Sequence, residues 1–400
     1  MASELFRHLP FLQYFGGRAF SNSSRQIVAV AVGWQVYALT GSAFHLGMVG
    51  LVSFLPTAVL TFVAGHAADR FDRKRVVQCC QWIEGLTAAW LAWASYGGFI
   101  DVYGIYIASA VFGAATAFER PAAAAMLPAI VPPRMLQQGT AVSSGAIQIA
   151  SIAGPALGGF IYGISPGATY VVTAGLWLLA GVLNGAIHMA RHARPPEAPG
   201  WRTLFAGVTF VRGNRDVLGV ISLDLFAVLL GGATALLPIY ASDILHTGPM
   251  GLGMLRAAPA VGALAMTALI ARRPILSGVG IRMFQAVILF GVFTVVFAVS
   301  TNYWLSLASL LLMGAADTVS VVIRLSLVQL VTPDDMRGRV SAVNFLFINA
   351  SNQLGEFESG VTAALFGTVP AALLGGFGTI AVALLWMKLF PSLRKVERLE

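Results

Sequence analysis

The sequence predicts an all-α membrane protein whose twelve transmembrane helices form two pseudo-symmetric six-helix bundles. Four observations carry that expectation. Of the 400 residues, 57% are hydrophobic and only 10% charged, with a mean hydropathy of +0.79, too little polar surface to cover a water-soluble fold. The apolar stretches are continuous rather than alternating, which excludes an outer-membrane barrel. About twelve of them fill the chain, each repeat having room for a helix of roughly 20 to 25 residues and a short loop. Positive charge is also one-sided. The connections near Gly41, Tyr96, Gly163, His246, Thr301 and Thr368 hold no Lys or Arg, and of the 25 basic residues all but Arg18, Arg25 and Arg256 fall at the other connections and the two ends. Basic residues are retained on the cytoplasmic face, so both termini are expected there. Finally, the halves repeat in one register: Gly113 falls on Gly314, Pro132 on Pro333, Ala141 on Ala342, Gly154 on Gly355 and Gly159 on Gly360.

In chain order, the first span, 11–39, is polar on one face through Arg18, Ser21, Asn22 and Arg25, so the N-terminus lacks a signal-peptide pattern and is expected to be retained. The second, 44–68, runs into a strongly basic loop. The third, 76–95, opens on Cys79 and Cys80, the chain's two cysteines, which read as packing residues rather than a disulfide. Spans 103–124, 136–162 and 168–189 complete the first half. The stretch 191–216 is basic, holds Pro195, Pro196 and Pro199, and reads as a cytoplasmic linker. Spans 217–240, 250–271, 279–299, 303–323, 340–366 and 370–390 follow. The expected division is an N-terminal half, 1–190, the linker, 191–216, and a C-terminal half, 217–400.

The strongest motif follows the second span: Gly65, then Asp69-Arg70, then Arg73-Lys74-Arg75. A stop-transfer loop would explain the charges but not the glycine, the acid or their spacing. The pattern resembles the signature loop of the major facilitator superfamily. Gly154-Pro155 followed by Gly158-Gly159 resembles that family's antiporter motif, and the segments 37–42, 120–122 and 332–340 look like the branch holding bacterial enterobactin exporters and related drug:proton antiporters. Two departures stand out: Pro121-Ala122-Ala123 replaces the usual Pro-Ala-Arg, and the second-half counterpart of the loop keeps only Arg272-Arg273, without an acid. The resemblance implies alternating access between the two halves. It also implies a cytoplasmic gate in which Asp69 approaches the N-terminus of the eleventh span, where a carboxylate gains from exposed amides and the helix dipole. Gly65 would allow close approach there, with Arg70, Arg73, Arg337 and Arg339 completing the gate. Gly154 and Gly158 form a small-x-x-x-small pair around Pro155, suited to a tightly packed, bendable helix.

Polar stripes outline a wet interior. Ser144, Gln148, Ser151 and Pro155 recur at helical spacing in the fifth span, and Asn349, Asn352, Gln353 and Glu356 in the eleventh, on equivalent faces of the repeat. Arg25, Gln148, Ser151, Asn349, Asn352 and Gln353 are the substrate-cavity candidates. Charge inside a membrane is costly and functional by default. Arg25 would attract an anionic or catechol-like solute, or else pair with Glu119 or Asp317. Glu356, Asp317 and Asp224 are the proton-coupling candidates; Asp317 shares a face with Ser320 and Arg324. Glu358 lies about 200° around the helix from Glu356, so Glu356 is preferred. Glu84 is given a structural role, because the third span is peripheral in the family's fold.

No His-x-x-His, Gly-x-Ser-x-Gly or nucleotide-binding loop appears, so no catalytic residue, metal ligand or cofactor is expected and the energy source is an ion gradient, the proton gradient first. The net charge of +8 is spread over loops, which points to an anionic inner leaflet rather than nucleic acid. The expectation is a monomeric, multi-pass protein of the cytoplasmic (inner) membrane that exports a small amphipathic siderophore or drug in exchange for protons. Uptake by symport, or a non-transporting receptor or assembly protein, is the alternative.

Overall fold

The computed structural model describes residues 5–188, 201–334 and 336–398, apart from the side chains at 61–70 and 201–205. Its long helices are α1 (Leu9–Thr40), α2 (Ala43–Arg70), α3 (Arg73–Tyr96), α4 (Val102–Ile130), α5 (Leu136–Ile164), α6 (Pro166–Ala186), α7 (Trp201–Gly213), α8 (Arg215–Leu230), α9 (Gly248–Arg272), α10 (Val279–Val299), α11 (Tyr303–Val331), α12 (Arg337–Phe366) and α13 (Thr368–Leu389). Short helical turns prolong α8 to Ile244. With α7 set aside as part of the linker, these are twelve spans. Among the described residues nine are long and apolar enough to cross a membrane on length and composition alone. The three that fall short are α1, α3 and α12, which carry the charges Arg18, Arg25, Glu84, Glu356 and Glu358.

Helix ends follow local chemistry. Asp72 opens α3 by accepting from the Lys74 amide at 3.1 Å, and Asp101 opens α4 by accepting from Gly104 at 2.8 Å. Asn214 caps α8 and Asn302 caps α11, each accepting from two amides, which satisfies donors that a helix start leaves orphaned. Gly41 closes α1 in the left-handed region (φ 59°), its N–H donating to the Tyr37 carbonyl.

The chain folds into two compact units. One comprises Met1–Gly41, Leu51–Ala198 and Gly248–Ala257; the other comprises Ser42–Gly50, Pro199–Thr247 and Ala258–Glu400. Within the first, α3 packs along α6 and α4, and α1 along α5 and α6. Within the second, α10 packs along α13 and α11, and α8 along α12 and α13. Under the repeat register these are the same pairings, so the duplication read in the sequence is a duplication of packing. Each unit has its own core, around Phe11, Tyr14, Met126 and Ile187 in the first and Leu223, Phe284, Ile323 and Val340 in the second.

The units differ from the expected halves by two exchanged segments, the starts of α2 and α9. Glycine explains both. In the second unit a Cβ on Gly47 would lie 3.0 Å from the Cα of Gly360. In the first unit a Cβ on Gly159 would collide with the Pro249 carbonyl. Backbones approach this closely only where neither helix presents a side chain.

Candidate functional site

The second unit holds a cation between two acids. Helix α8 breaks after Leu230 at Gly231-Gly232, where a Cβ on Gly232 would strike the Gly355 carbonyl of α12. Interrupted helices at membrane depth occur where protein or a cavity receives the freed backbone. Asp224 lies on the intact part, buried, and is ion-paired with Arg324 of α11. The other end of that guanidinium stands 3.8 Å from Asp317, and its Nε donates to the Ser320 carbonyl at 3.4 Å. Exposure separates the two acids: the Asp317 side chain is 45% exposed, that of Asp224 only 10%. All three residues line a cavity of about 140 Å³, together with Val220, Asn344 and Asn352.

In the sequence Arg324 counts among the loop cations. The structure instead carries α11 on to Val331, which sets Arg324 two turns inside the helix and buries it. The Asp317, Ser320 and Arg324 face was legible from spacing. That Asp224, on a helix far away in sequence, completes it was not.

The first unit likewise holds one cation between two acids, here both deeply buried. Arg25 Nη2 meets Glu84 Oε1 at 3.1 Å and also bonds Glu119 Oε2. Glu119 Oε1 accepts from Ser21 Oγ at 2.8 Å and Gln81 Nε2 at 2.9 Å, and Asn184 donates to Gln81 at 3.0 Å. Of the two acids expected as alternative partners for Arg25, the structure selects Glu119, and it adds Glu84. The peripheral placement expected of Glu84 gives way to complete burial, because α3 is packed between α6 and α4.

The polar stripes separate. Ser151 Oγ donates to its own helix at Ile147 and accepts from Gln26 of α1 at 3.4 Å; Gln148, one turn earlier, is half-buried. Asn352 is exposed and Asn349 half-buried, and they donate to carbonyls of their own helix at 2.7 and 2.8 Å. Gln353 and Glu356 are half-buried, and Glu356 packs against Gly50 of α2 rather than lining the cavity with Asp224 and Asp317. Glu358 accepts from Thr362 at 2.8 Å. In the antiporter motif Gly154 faces Gln26 and Gly158 faces Ile27, both on α1, while Pro155 is buried.

Of the gate residues, Gly65, Asp69 and Arg70 have side chains outside the described residues. Arg73 donates to the Ala125 carbonyl of α4 at 3.2 Å. Arg337 pairs with Asp334 at 2.6 Å, Arg339 reaches Met336 Sδ at 3.3 Å, and both are exposed.

Two duplicated six-helix units with ionisable groups buried inside each define a secondary transporter of the major facilitator type. The chain belongs to one family within it, the transmembrane secretion effectors, which matches residues 5–400. It is 26% identical over 414 aligned positions to the enterobactin exporter EntS of Citrobacter koseri, covering 99% of this chain and 95% of that one. It is 25% identical, with the same coverage, to EntS of Escherichia coli O1:K1 / APEC. Among solved structures it resembles a point mutant of the nucleoside transporter NupG, at 12% identity with a TM-score of 0.75 over 95% of this chain and 100% of that one. It also resembles a bacterial homologue of the iron transporter ferroportin in its inward-facing state, at 16% identity with a TM-score of 0.73 over 97% and 99%. Those likenesses establish the fold. The chain is a multi-pass membrane protein and a secondary transporter that exports a small solute, not an enzyme, and the uptake and receptor readings are not favoured.

Proposed function

We propose that the protein exports a small amphipathic solute, of catechol-siderophore or lipophilic-drug type, from the cytoplasm across the inner membrane in exchange for protons. The observation that carries this is Arg324 held between a buried acid, Asp224, and an exposed one, Asp317, in the wall of a cavity. Ionised Asp317, held in the cavity wall by Arg324, is the acceptor for a phenol O–H or a cationic group of the solute. A proton arriving on Asp317 removes that acceptor. Proton and solute then compete for one carboxylate, which is the requirement for exchange. A volume of about 140 Å³ suits a single aromatic ring. The relatives named enterobactin exporters support the catechol class.

In this reading the halves 1–190 and 217–400, joined by 191–216, rock about a monomeric chain with both termini cytoplasmic and its basic loops against anionic lipid. Asp69, with Arg70, Arg73, Arg337 and Arg339, latches the cytoplasmic side. Gly154, Pro155, Gly158 and Gly159 form the bending seam. Gln148, Ser151, Asn349, Asn352 and Gln353 wet the path, and Glu356 is the alternative proton carrier. The test is uptake of radiolabelled catechol siderophore or of a lipophilic cation into everted vesicles, with and without a pH gradient. Accumulation that a protonophore leaves intact rejects proton exchange.

A further inference from the structure

The buried network of the N-terminal half is not needed to explain solute exchange at Asp317, yet it carries an unbalanced charge. Both acids converge on one nitrogen, Arg25 Nη2. Glu119 is satisfied as a carboxylate, accepting from Arg25, Ser21 and Gln81. Glu84 is not. Its Oε1 accepts from Arg25, while Oε2, on a side chain with no exposure at all, has no hydrogen-bond partner among the described residues. Two ionised carboxyls against one guanidinium leave a net negative charge away from water, a cost several times that of burying a neutral acid. One bound proton makes the trio neutral.

We propose that Glu84 is a proton-binding site of the N-terminal half, with Arg25 and Glu119 as its counter-charges. The groups facing it are few. From α1 come Arg25 and, farther off, Arg18; from α4 come Glu119 and the exposed Arg120; from α3 itself comes Cys80. Helix α6 contributes Tyr170 as its one titratable residue, and that hydroxyl donates to Gln35. Arg120 acts on the trio through its field, and Arg25 is the cation that bridges the two acids. The Arg25 side chain is a quarter exposed, against 0% and 4% for the two acids. The proton therefore comes from and returns to water along the guanidinium, and no bond other than O–H forms or breaks. Use of this site in coupling rests on the proton-exchange reading; its existence does not.

The test is infrared spectroscopy of the full-length protein in lipid, without solute or gradient, comparing wild type with Glu84→Gln and Glu119→Gln at neutral pH. Wild type is expected to show the carbonyl stretch of a protonated carboxyl, and Glu84→Gln to lose it. Glu119→Gln, which leaves Arg25 to Glu84 alone, is expected to lose it as well, because Glu84 then ionises against an unshared cation. A band unchanged in Glu84→Gln, or none in wild type, overturns the proposal. Should Glu84→Gln fail to purify as a folded protein, an unchanged band in Glu119→Gln overturns it equally. Because no transport is measured, vesicles that fail to exchange protons leave this result standing, and the reverse holds too.

Discussion

Arg324 pairs with Asp224 across α11 and α8, and Arg25 pairs with Glu119 across α1 and α4. Under the repeat register α8 corresponds to α1 and α11 to α4, so equivalent helix pairs carry ion pairs of opposite polarity. The cation stands on the first helix of one half and on the fourth helix of the other. Duplication has preserved backbone packing, glycine contacts and helix order, while the charges were placed independently in each half. What both halves share is the physical constraint that a charge out of water needs a partner within reach.

Breaking one side of such a pair should be worse than removing both. Arg324→Leu leaves Asp224 buried and unpaired, which costs about 3–5 kcal/mol; the double change of Arg324 and Asp224 to Leu should recover most of it. Thermal unfolding in detergent, run as a double-mutant cycle, measures this. Single costs that are small and simply additive would show that the pair contributes nothing.

The fifth-span motif predicts a steric effect. A Cβ on Gly158 would already stand 3.0 Å from the Cα of Ile27, and one on Gly154 2.6 Å from the Cβ of Gln26. Gly158→Leu therefore overpacks the seam between α5 and α1, costing about 1–3 kcal/mol or more, and export should fall with it. If reconstituted exchange survives the bulky side chain at normal rate, close packing here is not required.

A helix cap offers the contrasting case. Asn214 Oδ1 accepts from the amides of Asp216 and Val217, each at 3.1 Å. Asn214→Ala should lower stability by about 1 kcal/mol and leave solute exchange at its wild-type rate, since the residue lies at the start of α8 and not on the cavity wall. A large loss of exchange with unchanged melting would contradict that.

What the sequence revealed and what it hid divide along a physical line. Loop charge, hydropathy and the repeated glycines report on the membrane and on backbone approach, which act locally, so span order and duplication were legible. Long-range pairing was not. Periodicity put Asp317 and Arg324 on one face, but only folding brings Asp224 to them from α8, and only the packing of α3 against α6 and α4 turns Glu84 from an apparently peripheral acid into a fully buried one. Glu356 illustrates the limit in the other direction. Its duplicated stripe singles it out in the sequence, whereas the fold sets it against Gly50 and gives the cavity wall to the aspartates.

The acid that carries the coupled proton can therefore be tested by opposing the two signals. Asp317 is the exposed member of its trio, 3.8 Å from Arg324, so Asp317→Asn should fold normally, keep downhill solute exchange and lose proton-driven accumulation. Glu356→Gln preserves shape and hydrogen bonding but removes titration, and should retain part of the coupling; Glu358→Gln, whose carboxylate is engaged by Thr362, should matter least. Proton release on adding solute to purified protein in weakly buffered detergent reads all three. Wild-type release from Asp317→Asn together with none from Glu356→Gln would transfer the role to Glu356, and the stripe would then have been the better guide than the cavity.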